Sequence, residues 1–577
     1  MNFEPPYGLR PVGLIDQDTM THRFQYLLLL CLSASQYMRG QATEDTTMAR
    51  QDTVKADSLK DFEPVIDRWR DVKPPPYELY VEGNLLDPYN QNVLKGDYPI
   101  IGQNTFLVVT AAADNLFEAV RSPVPSGVST LDPRSQGFFG NGERLFVNEN
   151  LKLSLELYNG DVAFRPRDWE LKVTSVFNFN YINTRENNAV NINVRRGDNR
   201  DDNHLAFQEL SFEKHLFDVS DRYDFVSFRI GLQRFASDFR GFVFSDFNLG
   251  TRLFGSFNSN RIQYNLIYLP MLEKDTNSEL NTVFDDRFQD VYIANVYVQD
   301  FITLGYTTQL SFHYNHDKPT TRFDENGFPV RPAVIGNVNP HEIKAYYLGW
   351  TGDGHFGRIN LSHAFYQVLG DDDFNSVAGR SIDLNARMAA LELSMDQDWM
   401  RFKASAFWSS GDLDPMDDTG EGFDAIIDQP FFAGGPFSYW NSQGIRLLGV
   451  GLVQKQSLLP SLRSSKIEGQ ANFVNPGLWL FNVGYDAELT PELKGALNVN
   501  YLRFAYTGSI ENFVNQPVIG NEIGLDYGLG IVYRPLLNNN IIFTLGISAL
   551  TPLDGFKDIY ESSQTLFSVV TSLVLTY

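Results

Sequence analysis

Residues 566–577 read LFSVVTSLVLTY. Phe567, Val569, Leu573, Leu575 and Tyr577 share one face of an extended chain, and Ser568, Ser572 and Thr576 share the other. Side chains of a strand point alternately to its two sides, so this pattern is a strand with one apolar and one polar face. The same unit recurs back through the chain to about residue 149. Leu151, Leu153, Leu155 and Leu157 alternate with Lys152, Ser154, Glu156 and Tyr158. In the next run Trp169, Leu171, Val173, Phe177, Phe179 and Tyr181 lie opposite Glu170, Lys172, Thr174, Asn178 and Asn180.

Two-faced strands also build soluble sandwiches. Here the polar faces carry charges deep inside the strands, and aromatics sit at strand ends (Trp169, Tyr181, Tyr264, Tyr268, Tyr485, Tyr501, Tyr533). A water-filled lumen permits the first and a membrane interface explains the second. Hydrophobic residues make up 43% and aromatics 14%, yet the mean hydropathy is −0.25. A helical membrane protein would score far higher, whereas a barrel averages its lipid-facing and lumen-facing rows. After residue 42 nothing approaches the roughly 18–20 continuous apolar residues of a membrane helix. The fold class expected is all-β, a transmembrane antiparallel barrel.

Strand-like runs start near 149, 169, 205, 225, 248, 261, 290, 304, 341, 357, 384, 400, 478, 493, 523, 541 and 566, and TFLVVTAAA (105–113) supplies one more. Both termini on one side require an even number, about 18 within a range of about 16–20. A hairpin in 443–475 would bring it to about 20. Turns alternate in length: 258–260, 490–492 and 535–540 are short, while 183–203, 271–289, 316–340, 410–442 and 506–521 are long. Barrels pair short periplasmic turns with long outer loops, so the long set faces outward.

The segment 566–577, ending on Tyr577, resembles the C-terminal signal read by the barrel-assembly machinery, with Phe567, Val569, Leu573, Leu575 and Tyr577 as its apolar positions. That resemblance implies insertion into the bacterial outer membrane and contact with its lipid. Upstream, residues 20–42 read MTHRFQYLLLLCLSASQYMRGQA: a short basic start, an apolar stretch over 24–35 and a small-x-small pattern at Gly40 and Ala42. This is a secretory signal peptide. Met20 then reads as the start and residues 1–19 as a mis-called extension. Residues 43–100 read as a periplasmic linker, its polar first part closing on Pro74-Pro75-Pro76, and 101–577 as the barrel, with a plug or loop within 114–148.

The sole cysteine, Cys31, falls in the signal peptide, which excludes disulfides and thiolate metal sites from the mature chain. A net charge of −24 excludes nucleic acid as a partner. Acids cluster at Asp371 to Asp373 and again at Asp412, Asp414, Asp417 and Asp418. Solvated loops explain both clusters, and the second could gather Ca²⁺ through several carboxylate oxygens, though it lacks the EF-hand spacing. No cofactor is expected. No nucleophile-elbow, zinc-helix or phosphate-loop motif occurs, so the chain reads as a non-enzyme. His313 and His316, three apart on one strand, face opposite sides.

The expected pore-lining face includes Glu209, Glu213, Arg229, Arg252, Arg261, Gln263, Arg401 and Lys403. Arg229, Arg252 and Arg261 stand on successive strands and would raise a positive potential if close together. The stretch HLAFQELSFEKHLF (204–217) followed by DFVSFRIGLQRFASDFRGFVFSDFNLGTRLFG (224–255) resembles the alginate-export family of outer-membrane barrels. The resemblance covers about residues 150–270 and implies a channel or porin passing or exporting a polar solute or polysaccharide. YRPLLNNNIIFTLGISALTPLDGFKDIY (533–560) is similar to barrels that accompany multihaem cytochromes. That implies the alternative, a sheath around a periplasmic partner protein, because the chain has no haem-attachment motif of its own.

Overall fold

The computed structural model describes residues 92–122, 140–160, 165–186, 190–325, 327–443, 467–560 and 563–577. The signal peptide, the upstream extension and most of the linker read from the sequence lie outside these residues. The described residues other than 284–286 belong to one compact unit.

Eighteen strands follow one another around the barrel. They are β1 (Thr105–Arg121), β2 (Gly140–Asn159), β3 (Trp169–Glu186), β4 (Asn199–Asp218), β5 (Phe225–Ala236) and β6 (Ser245–Phe257). Next come β7 (Ile262–Lys274), β8 (Asn281–Val298), β9 (Tyr306–Asp317), β10 (Ile343–Phe356), β11 (Ile359–Asn375) and β12 (Arg380–Gln397). The ring ends with β13 (Met400–Ser409), β14 (Leu478–Thr490), β15 (Leu493–Phe504), β16 (Glu522–Tyr533), β17 (Ile541–Pro552) and β18 (Leu566–Thr576). Neighbours pair antiparallel. β7 lies beside β8, Asn265 donating to Asn295 at 2.8 Å and Tyr268 to Asp290 at 2.8 Å. The ring closes where β18 pairs with β1, from Ala112 opposite Thr576 to Val120 opposite Ser568.

The alternation sorts as expected. Leu151, Leu153 and Leu155 on β2, Leu391 and Leu393 on β12, and Leu497 and Val499 on β15 are large apolar side chains exposed on the outside. Their strand neighbours point inward. An apolar outer face with every strand paired is what a bilayer demands, because lipid offers backbone groups no hydrogen bonds. An outer ladder of tyrosines crosses four strands: Tyr268, Tyr292, Tyr314 and Tyr346 stack with centroids 4.8, 5.9 and 4.7 Å apart. Stacked phenols suit an interface, where the ring is apolar and the hydroxyl wet.

Three details differ from the sequence reading. First, residues 114–121 and 140–148 are not a plug; they pair as β1 and β2, Asp114 opposite Asn150 and Arg121 opposite Glu143. The consecutive polar residues Asp114 and Asn115 break the alternation but are satisfied, Asp114 by an ion pair with Lys152 and Asn115 by donating to the Leu573 carbonyl at 3.1 Å. Second, the link expected at 271–289 shrinks to 275–280. Glu273 and Lys274 look like loop residues, yet both are buried in ion pairs with Arg331 (2.7 Å) and Asp246 (2.8 Å). Third, β13 pairs directly with β14, so no hairpin stands between them. Within 443–475, the described residues 467–475 include the buried Phe473 and Val474.

The main hydrophobic core lies inside the barrel. Ile343, Ala345 and Tyr347 of β10, Tyr366 and Val368 of β11, and Ile382, Leu384 and Ala386 of β12 point inward. They belong to one buried cluster with Phe242, Val243, Phe244, Phe423, Ile426, Ile427 and Phe432, which come from two links. Part of the lumen is therefore dry and packed, where the polar-face argument expects water.

Two outcomes test this architecture. Val499→Arg, near the middle of β15, should cost about 2–4 kcal/mol in denaturant unfolding from lipid vesicles. A loss below about 0.5 kcal/mol would place Val499 outside the hydrocarbon. Deleting 566–577 should abolish the folded band that shifts on heating in gel electrophoresis, because β1 and β17 become open edges; a surviving band would refute closure through β18.

Candidate functional site

Two links fold into the lumen and meet. One is 237–244, between β5 and β6; the other is 410–477, between β13 and β14. Ile426 and Ile427 donate to the Val243 carbonyl, each at 3.2 Å, and Gln429 donates to Gly241 at 3.0 Å. Asp238 shapes the first link. It accepts from the amides of Arg240 (2.8 Å), Gly241 (2.6 Å) and Phe242 (3.1 Å), and from the Tyr366 hydroxyl (2.9 Å). Full burial pushes its carboxyl up against these hydrogen bonds.

The second link is anchored by Asp526, which points inward from β16. Asp526 accepts from the Ser438 hydroxyl, the Tyr439 amide (3.0 Å), the Trp440 amide (3.4 Å) and Asn500 (2.9 Å). Asn500 also donates to the Ala433 carbonyl at 3.2 Å. Tyr439 reaches the Arg121 carbonyl at 2.6 Å. Glycines clear the seat: a Cβ at Gly528 would stand 1.7 Å from the Phe437 carbonyl oxygen, and one at Gly530 would stand 2.4 Å from the Phe437 ring. The run Tyr527-Gly528-Leu529-Gly530 thus presents large side chains to lipid and none to the lumen.

Beneath this junction lies a cavity of about 480 Å³. Its cations are Arg240, Arg401, Lys403 and Lys494; its anions are Asp353, Glu392 and Asp486; Phe431 and Phe437 close one side. Each cation has a partner. Arg240 contacts Glu392 at 2.9 Å and Asp353 at 3.9 Å. Lys403 meets Asp486 at 2.8 Å, and Lys494 meets it at 3.5 Å. Arg401 forms a fork on Asp396, with Nη2 to Oδ2 at 2.9 Å. The space is bipolar, lined by paired charges of both signs.

The sequence-derived pore residues divide. Arg401 and Lys403 line the cavity. Glu209, Glu213 and Arg229 form a network on the wall of β3 to β5, nine strands away around the ring. Lys172 pairs with Glu209 at 3.1 Å, and Arg229 pairs with Glu213 (Nε to Oε2 2.6 Å) and Glu170 (3.7 Å). Arg252 stands opposite Arg229 in register and donates to Asn265 at 2.6 and 2.8 Å. Arg261 does not join them. It is an exposed turn residue, six positions from Ile267, which faces Arg252, or roughly 20 Å along a strand. Gln263 donates to Asn260 at 3.2 Å. The expected patch of three arginines is thus two, and Arg229 is neutralised by carboxylates.

The acids proposed as a Ca²⁺ site also separate. Asp412 is buried, and burial pushes its carboxyl up to about 7. Asp414 and Asp417 are exposed and accept from backbone amides of Met416 (3.2 Å) and Thr419 (2.8 Å); Asp418 is exposed. Among the described residues this quartet does not converge three ligand atoms.

Sequence reading placed Asp526 on the lumen face without its anchoring role, and missed Arg240, Asp238 and the glycine seat. Arg240 did stand in the Arg-containing link after GLQRF. The alternating glycines at 528 and 530, with Gly546 opposite Gly530, were the other available signal.

The fold and this interior define a transmembrane β-barrel of the outer-membrane type with a lumen narrowed by its own links. No family model and no curated protein matches the chain, so the resemblance to alginate-export barrels rests on its residues alone. Solved structures similar to it include Pseudomonas aeruginosa OccK9 (OpdG), with 10% identity, 82% of this chain and 98% of that one covered, and a TM-score of 0.46. OccK2 (OpdF) of the same organism, in complex with glucuronate, gives 11%, 82%, 97% and 0.44. Acinetobacter baumannii OccAB4 gives 9%, 81%, 98% and 0.43.

If the seat on β16 holds the narrowing link in place, Gly528→Leu should expel it and raise single-channel conductance several-fold. Asp526→Ala should do the same by removing four hydrogen bonds. Unchanged conductance in both variants would mean that residues 431–442 do not obstruct the path.

Proposed function

We propose that the protein is a passive outer-membrane channel for small polar solutes. The observation that carries this reading is the charged cavity of about 480 Å³ within a closed barrel, beneath the junction of links 237–244 and 410–477. Paired charges of both signs offer hydrogen bonds and ion contacts to a solute that sheds water on entry. They also leave no large net field, so charge sign alone would select weakly. A zwitterion or a neutral polar molecule with several hydroxyls fits such a surface better than a polyanion.

The narrowed lumen weighs against two other readings. Export of a polysaccharide chain needs a wide passage, and the junction narrows it. A sheath around a cytochrome needs an empty interior, and this chain fills much of its own. Nothing in the cavity favours the export of alginate in particular.

Purified protein in planar bilayers should show discrete conductance steps, with a reversal potential near zero in a KCl gradient. Arg240→Ala leaves Glu392 without its nearest cation. The reversal potential should then move toward cation preference, most clearly at low salt, where screening is weak. Absence of any conductance would overturn the channel reading. An unmoved potential in the variant would place Arg240 off the conducting path.

A further inference from the structure

We propose that Asp202, Asp275 and Glu325 hold a hard divalent cation, Ca²⁺ by their chemistry, at the outer mouth of the barrel. The three carboxylates come from separate places: the start of β4, the β7–β8 link, and the β9–β10 link (318–342). One oxygen from each lies within 4.8 Å of the others. Ca²⁺ takes oxygen ligands at about 2.3–2.6 Å, so ligands across one ion stand at most about 5 Å apart.

A second feature points to a missing cation. The Asp275 side chain is 1% exposed. Its Oδ2 accepts from the Ser278 amide at 3.0 Å, while its buried Oδ1 has no hydrogen-bond partner. His204 lies beside it, with Nδ1 3.8 Å away. His204 Nε2 sits 3.1 Å from the Asn281 carbonyl, which can only accept, so Nε2 carries the proton. In the neutral ring Nδ1 is then a lone pair facing the lone pairs of Asp275 Oδ1. Two acceptors turned toward each other in a buried place need a positive charge between or beside them.

The local charge has the matching size. With all three carboxylates ionised, as ligands must be, they and Arg200, which bonds both Asp202 (2.9 Å) and Glu325, sum to two negative charges. One divalent ion cancels them. The ion would tie the β9–β10 link to the rim, where the amide of Glu325 already donates to Thr276 at 3.1 Å.

The test is calorimetric titration of Ca²⁺ into refolded, EDTA-treated full-length protein, with Mg²⁺ as comparison. One Ca²⁺ per chain is expected. Glu325→Gln, at a half-exposed position that should fold normally, is expected to weaken binding about tenfold or more, the scale that even an outer partner of a metal ligand carries. Asp275→Asn should abolish binding; because it touches a buried turn, its folding is checked by the heat-shifted band. Ca²⁺ should also slow protease cleavage within 318–342 in wild type and not in Glu325→Gln. No stoichiometric uptake by wild type would overturn the proposal and leave a protonated His204 as the cation. Equal uptake by Glu325→Gln would overturn it as well.

Discussion

Everything in this structure depends on the closure of β18 onto β1. A backbone amide or carbonyl left open to lipid costs several kcal/mol, and a sheet has two edges of such groups. Pairing Ala112–Val120 with Ser568–Thr576 removes both edges at once. Once the ring is closed, the two faces of each strand must differ. This is why Leu, Val and Phe repeat at every second position while their neighbours range from Asn to Glu. The closure continues past the last strand residue: Tyr577 donates to the Ala111 carbonyl at 2.8 Å, and Lys95 lies 4.4 Å above its ring.

Closure also sets the interior problem. Eighteen strands enclose more space than inward side chains can fill, so the interior must hold water or chain. Here it holds both. The apolar inward rows of β10, β11 and β12 call for apolar partners, and links 237–244 and 410–477 supply them. Polar inward side chains of β10 to β15, Asp353, Glu392, Arg401, Lys403, Asp486 and Lys494 among them, line the cavity. Where the link crosses β16 it meets glycine instead of side chain, and Asp526 accepts the donors of its turn. A link that enters a lumen needs both: clearance for its backbone and acceptors for its amides.

The ring was legible in the sequence because alternation is local. A two-residue period survives whatever the distant chain does, and each of the eighteen runs could be read alone. The interior was not legible, because it depends on contacts between residues far apart in sequence. Glu273 and Lys274 look like loop residues until Arg331 and Asp246 are placed beside them. Asp412 to Asp418 look like a ligand set, yet the link turns Asp412 inward and leaves the rest in solvent. Whether Arg229 is a free cation or paired with Glu209 or Glu213 stays open in the sequence, because the register that sets Glu213 opposite it cannot be read from strand wording. Arg401 and Lys403 were recognisable as inward, but not as one wall of a cavity whose other parts come from Arg240 and Phe431.

Charge is distributed in the same way. A chain of net −24 could have built an acidic lumen, yet inward cations sit beside its carboxylates, Arg252, held by Asn265, being an exception. Arg229, Lys172, Arg240, Lys403 and Lys494 each meet a carboxylate within 4 Å. Pairing is what an inward cation requires near apolar chain, because an unpaired charge there is poorly solvated. It follows that the character of the passage comes from which pairs line the narrow part and how rigidly the links hold them. Arg240 illustrates the point. It sits on a link, not a strand, yet Asp238 fixes the turn beneath it and Glu392 fixes its guanidinium from across the lumen. A link thereby carries a charge placed as firmly as one on the wall.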